Sequence, residues 1–91
     1  MAVYEILFEG SFVQDRLRTD EKPSQIEGFF ALRQITARCL TEAVEEGCKA
    51  IRIELASEDS FLASNLKKVV PTESRELDRY DEQRASGFTF F

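Results

Sequence analysis

Residues 26–56 read IEGFFALRQITARCLTEAVEEGCKAIRIELA, and two foldings of this stretch compete. In one, a helix covers 24–46, Gly47 caps its end, and 49–56 is a strand on which Ile51, Ile53 and Leu55 alternate. In the other, 27–38 is a strand that opens on the β-favouring pair Phe29 and Phe30. Thr41 then caps a helix over 41–57, with Leu40, Val44, Cys48, Ile51 and Leu55 as its apolar stripe at helical spacing. Glu42, Glu45 and Glu46 fall in the first turns, where the helix dipole favours negative charge. Gly47 inside that helix costs about 1 kcal/mol relative to alanine. Periodicity alone leaves both foldings open.

The flanks read more simply. Residues 2–9 alternate as a strand, with Tyr4, Ile6 and Phe8 on one face and Val3, Glu5 and Leu7 on the other. Gly10 is expected to mark a bulge or bend. Residues 10–26 are expected to be a loop around Thr19-Asp20-Glu21-Lys22-Pro23-Ser24, because polar residues cluster there and Pro23 fixes its own φ. Downstream, Ser57-Glu58-Asp59-Ser60 reads as a turn, and Phe61, Leu62 and Leu66 as one further helical turn. A strand is expected over 70–79, held to an edge or to its own beginning by Pro71. From Glu73 to Arg84 eight of twelve residues are charged, so at least one face of that strand lies in water. Residues 87–91, Gly-Phe-Thr-Phe-Phe, close the chain with three of its eight phenylalanines.

The residues Gly28-Phe29-Phe30, Arg33, Ala37, Glu42-Ala43 and Gly87-Phe88-Thr89-Phe90-Phe91 resemble a family of small uncharacterised bacterial proteins. There is a weaker similarity to the plasmid- and phage-borne DpnD/PcfM-like proteins. The resemblance implies a strand, a loop, a second strand, an acidic Glu-Ala helix, a third strand and the aromatic tail, which favours the second folding of 26–56. It implies no activity. The chain departs from the family pattern at Cys39-Leu40-Thr41, where an Asp-Pro or Ser-Pro helix entry is expected. The fold class expected is therefore α+β: a two-layer β-β-α-β domain spanning 1–91, with a small antiparallel sheet and one main helix on one face.

Composition narrows the chemistry. Ninety-one residues make one domain. Seventeen acids against twelve bases give a net charge of −5, a field that repels phosphate backbones, so nucleic acid is not an expected partner. No apolar run is long enough to span a membrane, and the opening Ala2-Val3-Tyr4-Glu5-Ile6-Leu7-Phe8 lacks the basic lead of a signal, so a cytoplasmic protein is expected. There is no histidine, hence neither the commonest general base nor the commonest metal ligand. Cys39 and Cys48 match no zinc or redox spacing and read as free thiols. Without a Gly-rich phosphate loop or an Asp-x-Asp-x-Asp loop, no cofactor and no metal are expected.

These exclusions point away from an enzyme and toward a protein-interaction module. The candidate contact residues are Arg33, Phe88, Phe90 and Phe91. For the tail, the plain reading is that Phe88 and Phe90 dock one face of a short strand onto the sheet, and the sharper reading is a recognition element for a partner. Arg33 reads as a structural cation pairing with Glu5 or Glu54, or as an anchor for an acidic partner helped by Arg16, Arg18 and Arg38. The partner expected is another protein, with a homodimer through the open sheet face or an edge strand as an alternative. The competing functions are an acidic inhibitor that imitates nucleic acid and a carboxylate-based hydrolase.

Overall fold

The computed structural model describes residues 1–13, 27–79 and 87–91. Six elements follow in order: β1 (Ala2–Phe12), β2 (Gly28–Ala37), α1 (Leu40–Glu58), α2 (Ser60–Ser64), β3 (Leu66–Leu77) and β4 (Phe88–Phe90). The strands form one antiparallel sheet in the order β3-β1-β2-β4, and α1 packs on one face of it. The fold is a small α+β domain, and 26–56 takes the strand-then-helix folding.

The β1–β2 ladder runs from Ala2 opposite Ala37 to Ser11 opposite Gly28 without interruption. Because side chains alternate along a strand, this register puts Tyr4, Ile6, Phe8, Gly10 and Phe12 on the same face as Phe29, Ala31, Arg33, Ile35 and Ala37. That face is the core. Ile6, Phe8, Phe12, Phe29, Ala31 and Ala37 meet Ala43, Ile51 and Leu55 of α1 and Leu62 of α2.

Several expected boundaries move. β1 does not stop at residue 9, and Gly10 is not a bend. Strand pairing continues through Phe12, because the ring of Phe29 lies where a Gly10 side chain would be and Phe12 joins the core 5.8 Å from that ring. Residues 14–26, the rest of the expected loop, lie outside the described residues. The helix begins at Leu40 with Cys39 as its N-cap, in place of Thr41, and Cys39 makes no side-chain capping bond. Its buried stripe is Ala43, Gly47, Ile51 and Leu55. Leu40, expected on that stripe, is exposed, and Val44 and Cys48 flank it half-buried. The helix turns its smallest residues to the sheet because Phe8 and Ile35 occupy the space a Gly47 side chain would need.

Asp59 serves both helices. Its backbone N–H donates to the Leu55 carbonyl at 2.8 Å, and its carboxylate accepts from the Leu62 N–H at 3.1 Å to start α2. Leu66 belongs to β3 and not to a helical turn, so that strand starts four residues earlier than 70–79 and ends at Leu77. Pro71 sits inside β3, which the edge position permits. There the register slips between Leu7 and Phe8, leaving Thr72 without an opposite residue, and the Thr72 hydroxyl donates to the Leu7 carbonyl at 3.1 Å.

Candidate functional site

The sheet's second face carries no described element. Across the strands β3, β1 and β2 its rows read Val70, Glu9, Phe30, then Glu73, Leu7, Leu32, then Arg75, Glu5, Gln34, then Leu77, Val3, Thr36. A preceding row joins Lys68, Ser11 and Gly28, with Phe91 beyond Gly28. The face is thus mixed, with an aromatic corner at its β2–β4 side and acids along β1 and β3.

The aromatic corner follows from how the tail is held. β4 extends β2, with Phe90 opposite Phe29 and Phe88 opposite Ala31. The carbonyl of Phe91 accepts from the N–H groups of Glu27 and Gly28 at 2.6 and 3.2 Å, and the Phe91 N–H donates to the Gly28 carbonyl at 3.0 Å. Phe88 and Phe90 therefore point to the core face. Phe88 meets Phe29 edge-on at 5.1 Å, and Phe90 lies 6.2 Å from the same ring. Phe91 points the other way, its ring 5.0 Å from that of Phe30. Phe30 and Phe91 are 37% and 44% exposed, large for aromatic rings already in contact. A side chain at position 28 would collide with the Gly10 carbonyl and the Phe91 ring, so glycine is what lets the tail lie this close.

The predicted contact residues thus divide between the faces. Arg33, Phe88 and Phe90 come together on the helix side. Arg33 pairs with Glu54 of α1 at 2.9 Å, donates to the Leu32 carbonyl at 2.8 Å and stands 5.2 Å over the Phe88 ring. Its guanidinium ties α1, β2 and β4 together. Of the cations grouped with it, Arg38 pairs with Glu42 one turn along at 3.2 Å, while Arg16 and Arg18 lie outside the described residues. Only Phe91 reaches the second face.

Phe30, Leu7, Glu9, Val70 and Glu73 on that face were not singled out from the sequence. The alternation of β1 already separated Leu7 from Phe8, but nothing local set its register against β3. Glu5, 6% exposed, is paired with Arg75 at 2.9 Å, which supplies the opposite charge a buried carboxylate needs. Beside this pair lies a depression of about 300 Å³ lined by Glu5, Leu7, Leu32, Glu73, Ser74 and Arg75.

The cysteines stand apart from this face. Cys39 is exposed at the start of α1. The half-buried Cys48 thiol donates weakly to the Val69 carbonyl at 3.8 Å. Burial pushes its pKa above the ordinary thiol value, partly opposed by the Arg52 cation. Among the described residues no three Cys, Asp or Glu side chains converge as a bound metal would require, and no helix is long and apolar enough to cross a membrane.

Comparison with protein-family models, with curated proteins and with solved structures finds no match to this chain.

Proposed function

We propose that this chain is a non-enzymatic protein-interaction module whose contact surface is the sheet face opposite α1. One observation carries the reading: the Phe30 and Phe91 rings meet at a tilt of 35° yet stay more than a third exposed, on a face with no described element over it. A contiguous apolar patch left in water is disfavoured unless a partner removes it from water. Backbone pairing sets the base of the patch, since Phe30 lies opposite Glu9 on one side and Thr89 on the other, and Phe91 is hydrogen-bonded to Gly28.

The test is recovery of tagged protein from its native host, wild type beside a Phe30→Ser, Phe91→Ser double variant. The expected result is a protein retained by the wild type and lost by the variant, with thermal unfolding of the variant still cooperative. Retention that survives the double substitution but disappears at high salt would replace this reading with the acidic mimic of nucleic acid.

A further inference from the structure

If the face is a contact surface, as proposed above, its charges bear on the chemistry of the partner. In the depression beside Leu7, the acid Glu5 is already matched by Arg75 at 2.9 Å. Glu73, on the rim of the same depression, is exposed and forms no ion pair among the described residues. Glu9, one row away and flanked by Val70 and Phe30, forms none either. The depression therefore carries an apolar wall of Leu7 and Leu32 and, in Glu73, a negative charge that no described residue pairs with, with a second acid nearby beside the exposed rings.

We infer that this face binds a segment of another polypeptide that places a Lys or Arg side chain in the depression. The aliphatic stem lies along Leu7 and Leu32, the cation meets Glu73, and flanking apolar side chains rest on Phe30, Phe91 and Val70. A long-stemmed cation suits such a site because its methylenes bury against carbon while its charged end stays at the rim. A neutral or acidic segment would leave Glu73 and Glu9 unmatched at the contact, and like charges brought together suppress the wrong partner. The same reasoning disfavours a second copy of this chain. A two-fold face-to-face contact buries the same patch on both copies, so it would bring two sets of Glu9 and Glu73 into one interface. Among the described residues, the cations that the strand registers place on the face are Arg75, already paired, and Lys68.

The test uses the full chain, isotope-labelled, titrated with three capped peptides: Leu-Lys-Val-Lys-Leu, Leu-Glu-Val-Glu-Leu and Leu-Ser-Val-Ser-Leu. The expected result is that the lysine peptide alone shifts the amides of Leu7, Glu9, Phe30 and Glu73. Glu73→Gln, a substitution at an exposed position, should weaken that peptide by about three- to fivefold, the factor of a partly screened ion pair. Several outcomes overturn the inference. If the serine peptide shifts the same amides equally and Glu73→Gln changes nothing, the cation chemistry fails while the face remains a contact surface. If the lysine peptide shifts only the exposed acids of α1, Glu45 and Glu46, the attraction is general charge and the site fails. If no peptide perturbs the face, the inference and the module reading both fall. A concentration-dependent dimer in sedimentation, abolished by Phe30→Ser, would make a second copy the occupant.

Discussion

Phe29 and Phe30 are neighbours in the chain and identical in chemistry, yet Phe29 is fully buried and Phe30 is 37% exposed. Phe29 touches the rings of Phe12, Phe88 and Phe90 and fills the space over Gly10. Phe30 touches Phe91 and stands beside Glu9. The same division runs through the sheet. One face is close-packed under a helix whose buried stripe opens on the small residues Ala43 and Gly47 and goes on to Ile51 and Leu55. The other mixes leucines, two open rings and carboxylates. The apolar residues that remain on the other side have no described element over them.

The sharpest way to break this comparison is a pair of truncations. Phe29→Ala removes a ring at the centre of an aromatic cluster and should cost about 3–5 kcal/mol, enough to unfold much of a domain this size. Phe30→Ala should cost below about 1 kcal/mol, as expected for a surface substitution away from the core. Denaturant melts of the two variants side by side check this. Equal losses would mean that both faces are structural.

A smaller effect sharpens what makes the covered face special. Gly47→Ala should help an isolated helix by about 1 kcal/mol. Here the new methyl meets the Phe8 ring and the Ile35 side chain, so the net change should be a loss of about 1–2 kcal/mol. A gain in melting temperature would show that α1 does not depend on close approach to the sheet.

The smallest effect comes from Cys48 at the edge of the covered layer. Its folded-state pKa is raised by burial, so the neutral thiol is the form the fold prefers. Its contribution is fully present below the ordinary thiol pKa of about 8.5 and is lost as pH rises through the folded value. Stability measured across that alkaline window should decline less in Cys48→Ala than in wild type. Exposed Cys39 should also be alkylated faster than Cys48.

Much of the fold was legible residue by residue. The alternation of Tyr4, Ile6 and Phe8 separated the two faces of β1, and 27–38 and 41–57 lie within a residue of β2 and α1. The first half of the helical stripe lies one position from Val44 and Cys48, the apolar residues that the spacing indicates. Close packing selected Ala43 and Gly47 instead. The tail was legible as aromatic, with Phe88 and Phe90 on one face, and the structure turns Phe91 to the other. Arg33 had two candidate acids in the sequence, Glu5 and Glu54, and spacing gave no means to choose. The register decided, placing Glu5 on the far face beside Arg75 and Glu54 above Arg33 on α1.

What the chain determined by itself was local: which stretches extend, where the main helix lies, and that each strand has two unlike sides. What only the tertiary structure decided was which side the helix covers and which charges are left over. A period of two separates the faces without labelling them. The label comes from long-range register and from the small residues that let one helix approach, and neither is written in any single segment.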